Sequence, residues 1–211
     1  MHISLLGDSI FDNSSYTSGE PDVIGRLRSL LGSSDSATLL AVDGATCDEM
    51  HEQITRLPDE TTHLVLSAGG NDALMASDLL LRPASSVGEG VWLLQDEAKR
   101  FERKHVRLLD ALVATRLPLL VGTIYNPRFS DPLQQAVCVG ALCLFNDAII
   151  RNAAKRGLPL LDLRSVCTLP DDYANDIEPS SAGGAKIAAA ILRAVRKHDF
   201  AAGKATIYGA A

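Results

Sequence analysis

The chain lacks the features that mark nucleic-acid-binding and metal-dependent proteins. Its 20 Lys and Arg residues are outnumbered by 26 Asp and Glu residues, which gives a formal net charge of -6. No basic excess is present to attract phosphate backbones. The four cysteines form no C-x-x-C pair, and no His/Cys cluster has zinc spacing. We therefore expect no nucleic-acid partner, no metal and no other cofactor, and we expect free, mostly buried thiols.

Leader segments and long hydrophobic runs are also missing. The sequence passes from Met1 directly into a short apolar segment, without the basic stretch and longer apolar run of a secretory signal peptide. No run is long enough to predict a segment that spans a bilayer. We expect a cytoplasmic protein without a membrane span.

The composition that remains is that of an ordinary globular protein. Hydrophobic residues make up 46% of the 211 residues and charged residues 22%, which excludes disordered and fibrous classes. This length suits one domain with a full-sized core. We predict a single domain over residues 1–200 and a small, mobile-looking tail over 201–211.

Short apolar segments alternate along the chain with longer segments of helical periodicity. Strands are predicted in His2–Gly7, Ala37–Val42, His63–Ala68, Leu117–Thr123 and Leu158–Leu163. Helices are predicted in Asp22–Leu31, Cys47–Leu57, Asn71–Leu81, Glu97–Thr115, Pro132–Arg156 and Ser180–His198. This alternation favours parallel strands with right-handed helical crossovers, hence an α/β class, a three-layer α/β/α sandwich. Five strands fit the flavodoxin-like order 2-1-3-4-5, in which ligands bind at the carboxyl ends of the strands.

Groups suited to acyl transfer follow the first three predicted strands. Ser9 follows the first, Gly44 the second and Asn71 the third. Taken singly, each residue is also ordinary turn or helix-cap chemistry. Together, the Ser9 N–H, the Gly44 N–H and the Asn71 amide form a set of three donors for an oxyanion, beside a hydroxyl nucleophile.

These segments resemble the SGNH/GDSL hydrolase family over essentially the whole chain. Gly7-Asp8-Ser9 resembles the block that supplies the nucleophile, Asp43-Gly44-Ala45-Thr46 the block with the glycine donor, and Gly69-Gly70-Asn71-Asp72 the block with the asparagine donor. The resemblance implies the SGNH hydrolase topology and metal-free hydrolysis of esters or thioesters, including acyl-sugar and lysophospholipid substrates.

The fourth block of that family is altered in this chain. The family carries Asp, two residues, His, then Pro and a small residue. Aligned on Pro179-Ser180, the sequence has Asn175 in place of the aspartate and Glu178 in place of the histidine. A free glutamate has a pKa of about 4.3 against about 6.5 for histidine, but burial and nearby negative charge raise it. We predict that Glu178 is the substitute base, an atypical one that slows catalysis relative to histidine.

The five histidines offer one alternative base. His2 and His63 begin strands at the opposite edge of the sheet, and His198 lies near the tail. His105 is expected to be solvated among charged neighbours. His51 alone lies at the correct edge, about one turn into the helix after the second strand.

Further polar residues near the strand ends are predicted to contact substrate, although loop chemistry explains them as well. The segment Leu79–Leu93, which includes Trp92, forms either an apolar lid over an acyl chain or a helix packed on the core. The predicted substrate contacts are Asp8, Asp12, Asn13, Tyr125, Asn126 and Asn175.

The sequence thus predicts a serine hydrolase that cleaves a small-molecule ester through a Ser9 acyl-enzyme. A weakened, ligand-binding pseudoenzyme is the alternative: the missing histidine supports it, and the joint retention of Ser9, Gly44 and Asn71 opposes it. A flavodoxin-like nucleotide or flavin binder is a third reading. It is the weakest, because the chain has no G-x-G-x-x-G after the first strand and no G-x-x-x-x-G-K-[ST] loop.

Overall fold

A parallel sheet of six strands runs through the computed structural model, which describes residues 1–210. The strand order is β2-β1-β3-β4-β5-β6, and every pairing is parallel. The strands are β1 (His2–Leu6), β2 (Ser36–Leu39), β3 (His63–Leu66), β4 (Leu119–Gly122), β5 (Leu160–Leu161) and β6 (Ile207–Tyr208). The helices are α1 (Val23–Leu30), α2 (Met50–Thr55), α3 (Gly70–Met75), α4 (Val87–Ala114), α5 (Pro132–Lys155) and α6 (Ser181–Lys197).

Two apolar clusters cover the two faces of the sheet. Successive side chains of a strand point to opposite faces, so Leu5 belongs to one cluster and Leu6 to the other. Helices α1 and α6 close the first cluster, and α2, α4 and α5 close the second. The predicted three-layer α/β/α arrangement and the order 2-1-3-4-5 are confirmed.

The sheet has one strand more than the five predicted. Ile207–Tyr208, in the segment predicted as a tail, pairs with β5. The Leu160 N–H donates to the Thr206 carbonyl (2.9 Å), and the Asp162 N–H donates to the Tyr208 carbonyl (2.7 Å). A strand of two residues is too short to carry a periodic pattern, which is why it escaped prediction. Residue 211 of that tail lies outside the described residues.

Helix α4 begins ten residues earlier than the predicted start at Glu97. Ser86 caps it by accepting a hydrogen bond from the Glu89 N–H at 3.1 Å. Its buried positions begin only at Ala98, and those of α5 only at Phe145. The sequence pattern located only the part of α4 that packs on the core. The first turns of α4, like those of α5, extend beyond the core.

His105 lies in the core, so the prediction that it is solvated is wrong. It is fully buried, with its ring centroid 5.4 Å from that of Phe101. Neither ring nitrogen has a hydrogen-bond partner within residues 1–210. Burial lowers its pKa from 6.5 to about 4, so the ring is neutral. It shares the buried stripe of α4 with Phe101, Leu108 and Leu112, and its charged sequence neighbours lie on other faces of the helix.

By length and composition alone, helix α5 is long and apolar enough to cross a membrane, so the expectation that no run reaches this length fails on that measure. Its most apolar 18-residue window has a mean hydropathy of 1.5, and 22% of that window is buried. The C-terminal half nevertheless packs in the core through Phe145, Ile149 and Ala153. That half occupies the place of an ordinary crossover helix in an α/β sheet.

Candidate active site

The predicted nucleophile and the predicted base meet at the carboxyl end of the sheet. The Ser9 hydroxyl donates a hydrogen bond to Glu178 Oε1 at 3.1 Å, across 169 residues of sequence. Both side chains are buried, with Ser9 8% and Glu178 7% exposed. The fold therefore pairs a hydroxyl with a carboxylate in a site that largely excludes water.

Ser9 lies in a tight turn directly after β1. The Phe11 and Asp12 N–H groups both donate to the Asp8 carbonyl at 3.1 Å, and the Ile10 N–H donates to Asp8 Oδ1 at 3.2 Å. Within the described residues the Ser9 N–H itself donates no hydrogen bond. That N–H remains available to a bound oxygen.

The two other predicted oxyanion donors lie on neighbouring loops. Gly44 has φ +82°, a left-handed conformation that favours glycine, and its N–H has no acceptor among residues 1–210. Asn71 Nδ2 donates to the Ala45 carbonyl at 3.2 Å, which ties the second and third loops together. One of the two amide hydrogens of Asn71 is left for a ligand.

The pKa of Glu178 is raised from 4.5 to about 7. Burial is the main cause, the Ser9 hydrogen bond opposes it, and the negative charge of Asp43 contributes in the same direction as burial. Its second oxygen, Oε2, is buried and has no hydrogen-bond partner within residues 1–210. A carboxyl group with a pKa near neutrality can both accept and return a proton at physiological pH.

The loop that carries Glu178 is fixed by its own backbone and by Asn175. Asn175 Oδ1 accepts from the N–H groups of both Ile177 and Glu178 at 2.9 Å. The Ala174 N–H donates to the Glu178 carbonyl, also at 2.9 Å. Asn175 was predicted as a substrate contact, but these bonds make it a residue that positions Glu178.

Two more predicted substrate contacts hold the same loop from other elements. The Tyr125 hydroxyl donates to the Ile177 carbonyl, and Asn13 Nδ2 donates to the Pro179 carbonyl at 3.0 Å. Tyr125 and Asn13 are buried. Their polar groups are thus engaged on either side of Glu178, and a positioning role fits them better than substrate contact.

Asp8 is likewise turned into the protein. It is 2% exposed, and its Oδ1 accepts from the Ile10 N–H and from the Ser67 hydroxyl, both at 3.2 Å. Burial raises its pKa from 3.8 to about 7, and the charge of Glu178 acts in the same direction. Asp8 therefore joins the Ser9 turn to the end of β3, from which the Asn71 loop begins, and is not placed as the substrate contact that we predicted.

Asp12 and Asn126 keep partly exposed side chains. Asp12 Oδ2 accepts from the Asp43 N–H at 3.0 Å, and the Tyr16 hydroxyl donates to Asp43 Oδ2 at 2.8 Å. That bond is the main reason that the pKa of Tyr16 is raised to about 12. Asp12 and Asn126 remain predicted substrate contacts.

Sequence reasoning missed Gln53, which fixes the backbone just before Ser9. The Gly7 N–H donates to Gln53 Oε1, and Gln53 Nε2 donates to the Gly7 carbonyl, both at 2.8 Å. Gln53 is 1% exposed on α2. The sequence signal was a glutamine three residues after Met50, hence on the same face of the helix as that apolar residue. The partner of Gln53 is visible only in three dimensions.

No histidine takes the place of Glu178 beside Ser9. His51, the alternative base, lies partly exposed on α2 and forms no hydrogen bond with any residue in 1–210. Over that same range, no group of three or more His, Cys, Asp or Glu side chains is arranged to hold a metal ion. The four cysteines are free, but only Cys47 and Cys167 are buried; Cys138 is partly exposed and Cys143 is exposed, so the expectation of mostly buried thiols holds for two of the four.

Comparison with protein families gives one match, which spans most of the chain. The profile of the GDSL-like Lipase/Acylhydrolase family matches residues 5–186. This range includes all four segments described above. No curated protein sequence matches the chain significantly.

Solved structures share the fold at low sequence identity. An extracellular lipase from Streptomyces rimosus superposes with a TM-score of 0.65 at 16% identity, covering 92% of this chain and 99% of that one. A G-D-S-L family lipolytic protein from Veillonella parvula gives 0.67 at 16%, covering 94% and 100%. Phospholipase A1 from Streptomyces albidoflavus gives 0.65 at 17%, covering 92% and 98%. These likenesses establish a common fold.

Proposed function

The chain belongs to the GDSL-like lipase/acylhydrolase family, and from this premise we propose that it hydrolyses carboxylic esters through a Ser9 acyl-enzyme. The observation that carries the proposal is the 3.1 Å hydrogen bond from the Ser9 hydroxyl to Glu178. It supplies a nucleophile and a base in direct contact, and the pKa of the base is raised to about 7.

In the first half-reaction, Glu178 accepts the Ser9 proton as the serine oxygen attacks the ester carbonyl carbon. The carbonyl oxygen becomes negatively charged and is stabilised by the N–H groups of Ser9 and Gly44 and by the Asn71 amide. The tetrahedral intermediate then collapses. Its C–O bond to the alcohol breaks, and the alcohol leaves with the proton that Glu178 returns.

The second half-reaction repeats these steps with water. Glu178 removes a proton from a water molecule as its oxygen attacks the Ser9 acyl ester, and the same three donors stabilise the second oxyanion. Collapse releases the carboxylic acid, and Glu178 returns the proton to Ser9. The protein contributes the base, the nucleophile and the three donors. The Glu178 carboxyl carries the Ser9 proton to the leaving alcohol, and later carries a proton from water to Ser9.

Two structural neighbours are described as a lipase and a phospholipase A1, both of which cleave carboxylic esters. These descriptions support the ester bond as the target in this chain and leave open which acyl group and which alcohol it takes. Since the neighbours are only 16–17% identical to the chain, they share its fold without fixing its substrate.

One observation favours the binding-protein alternative. Glu178 Oε2 has no partner within residues 1–210, so no third residue orients the base as the aspartate does in a Ser-His-Asp triad. A site of this kind is a slower catalyst. Retention of the serine with three donors still favours turnover, because a binding site has no need for a nucleophile.

The test compares p-nitrophenyl acetate hydrolysis by wild type, Ser9→Ala and Ser15→Ala from pH 5 to 9. Ser15 is an exposed serine six residues further along the same loop and forms no side-chain hydrogen bond within the described residues. Ser9→Ala should lose at least about 10³-fold in kcat/KM, and Ser15→Ala should match wild type.

Mass spectrometry after treatment with a fluorophosphonate gives a second readout of the nucleophile. Wild type and Ser15→Ala should each gain one adduct on Ser9, and Ser9→Ala should gain none. Equal rates for wild type and Ser9→Ala across a panel of acyl chain lengths, together with no adduct, would contradict the hydrolase proposal and favour the ligand-binding function.

A further inference from the structure

The first turns of α4 and α5 project beyond the packed core. We define the projecting lobe as residues 73–97, which include the segment before α4, and residues 132–144 of α5. No residue in either range is buried. At 1.5 Å per residue, the exposed starts of the two helices extend about 15–20 Å past their first buried residues, Ala98 and Phe145.

The projecting lobe is unusually apolar for a solvent-facing surface. Eight of the thirteen large apolar side chains that are exposed within residues 1–210 lie in it. The chain's one tryptophan, Trp92, is 64% exposed there. Concentrated exposed apolar surface of this kind marks an interaction site. The eight are Leu74, Met75, Leu81, Val87, Val91, Trp92, Leu133 and Val137.

The parts of the lobe lie next to one another. The Phe101 and Phe145 ring centroids are 4.9 Å apart, and Arg156 pairs with Asp110 at 2.6 Å, so α4 and α5 run side by side in the same direction. The segment before α4 and the start of α4 border a cavity of about 410 Å³, which is lined by Met75 and, for the larger part, by charged side chains. The exposed apolar side chains at the starts of α4 and α5 therefore lie next to one another.

This surface stands beside the Ser9 crevice. Crossover helices run opposite to parallel strands, so their first turns lie at the carboxyl edge of the sheet, where ligands bind. The lobe begins two residues after Asn71. The Ile124 N–H, just after β4, donates to Asn146 Oδ1 on α5 at 2.8 Å, which places the preceding turns of α5, residues 132–144, beyond that edge.

The composition of the lobe indicates what covers it. Residues 132–144 contain no charged side chain, and their apolar residues are distributed around the whole circumference of α5. A second protein surface covers one face of a helix and selects for a polar opposite face, whereas a lipid layer surrounds it. An apolar segment of this length is typical of a helix end that enters an interface without spanning it.

Charge further narrows the type of lipid. Residues 73–97 contain four acidic residues and the single basic residue Arg82, and residues 132–144 add no charge. Anionic lipid surfaces are recognised by clusters of Lys and Arg, which the lobe does not have. Neutral or zwitterionic headgroups carry no such requirement.

We propose that the projecting lobe docks the protein on a neutral or zwitterionic lipid–water interface, with the Ser9 crevice facing the lipid. The lobe acts by inserting the apolar starts of α4 and α5 into the interface, between the parts of the acyl chains that lie next to the headgroups. This surface goes beyond ester hydrolysis, because binding requires no turnover at Ser9.

The experiment uses the single tryptophan as its reporter. Phosphatidylcholine vesicles are added to the full-length protein, Trp92 emission is recorded, and vesicle-bound protein is separated by flotation. We expect a blue shift of the emission, quenching by brominated acyl chains, and flotation of the protein with the vesicles. Ser9→Ala should bind like wild type, so an inactive Ser9 would leave this result readable.

Two double variants give the matched comparison. Leu133→Ser/Val137→Ser removes apolar surface from the lobe, and Leu30→Ser/Val113→Ser removes exposed residues of the same two types elsewhere. The first should weaken vesicle binding at least about tenfold, because it removes two apolar side chains from the surface that enters the lipid. The second should bind like wild type.

Three outcomes would overturn the proposal. The first is no spectral shift and no flotation at millimolar phosphatidylcholine. The second is binding only to anionic phosphatidylglycerol vesicles. The third is a stable dimer by sedimentation that Leu133→Ser/Val137→Ser dissociates, which would assign the lobe to a second copy of the chain.

Discussion

The Ser9 crevice and the projecting lobe share one edge of the sheet but are built in opposite ways. In the crevice, Ser9, Asp8 and Glu178 are buried, and the loops around them are tied by side-chain hydrogen bonds. In the lobe no residue is buried, and large apolar side chains face outward. Chemistry requires atoms held to fractions of an ångström, whereas a docking surface requires only the right chemical character.

The unpaired groups of the crevice sharpen this contrast. Within the described residues, the Ser9 N–H, the Gly44 N–H and Glu178 Oε2 have no hydrogen-bond partner. The surrounding Asn13, Tyr125 and Asn175 groups are all engaged. Of these groups, the two N–H groups are the donors that the oxyanion of an ester would use.

The largest expected difference between the core and the lobe is in how much a Leu→Ala change lowers the free energy of unfolding. Leu108 is fully buried in the packed half of α4, and Leu133 is 73% exposed at the start of α5. Leu108→Ala should lower the free energy of unfolding by about 2–5 kcal/mol, because it leaves a cavity. Leu133→Ala should change it by less than about 0.5 kcal/mol. Urea unfolding of both variants measures this difference, and equal losses would mean that the lobe is packed in solution.

Charge burial in the crevice should appear as a pH-dependent loss of stability. Asp8 has a pKa of about 7 in the folded protein against an ordinary 3.8, so the stability it contributes is present below about pH 4 and is lost as pH rises through 7. Asp8→Asn stays neutral. Relative to wild type, its free energy of unfolding should be higher by about 4 kcal/mol at pH 8 and unchanged at pH 4.

Unfolding by urea at the two pH values gives that comparison, and Asp12→Asn serves as the matched control, because Asp12 is partly exposed. The difference between the pH 4 and pH 8 stabilities, each taken relative to wild type, should be larger for Asp8→Asn than for Asp12→Asn. A constant difference between Asp8→Asn and wild type would show that the Asp8 carboxyl is not desolvated.

A smaller effect should separate the electrostatic from the positional role of Asp8. The asparagine amide oxygen can still accept from the Ile10 N–H and the Ser67 hydroxyl, so kcat should remain within a few fold. Loss of the negative charge should shift the acid limb of kcat/KM to lower pH by less than about one unit, because the Asp8 and Glu178 carboxyls are coupled. Asp8→Ala removes both acceptor bonds and should lower kcat itself. If the acid limb of kcat/KM lies at the same pH in Asp8→Asn as in wild type, the Asp8 and Glu178 carboxyls are not coupled.

Much of the fold could be predicted from sequence because it rests on local patterns. Alternating strand and helix segments lead to a parallel sheet with one strand order, and helix starts lie near capping residues such as Asp22 and Asp131. The strand Ile207–Tyr208 and the early start of α4 were missed for one reason. Both lack the buried periodicity on which such predictions depend.

The candidate site divides in the same way. The places of Ser9, Gly44 and Asn71 at the carboxyl edge were predictable because each lies within five residues of the end of a parallel strand. The positions of Asn13 and Tyr125 were predictable, but their bonding was not. Asn13 meets Pro179 across 166 residues, and Tyr125 meets Ile177 across 52. Such contacts depend on how the loops pack in three dimensions, which sequence spacing does not contain.

The pH dependence of ester hydrolysis by wild type and Glu178→Gln tests the central claim most directly. Wild-type kcat/KM for p-nitrophenyl acetate should rise with pH through an apparent pKa near 7, as Glu178 loses its proton. Glu178→Gln should be about 10²- to 10⁴-fold slower and lose that limb, while Ser9 still reacts slowly with the fluorophosphonate. A Glu178→Gln enzyme with the wild-type rate and the wild-type limb would contradict the assignment of Glu178 as the base.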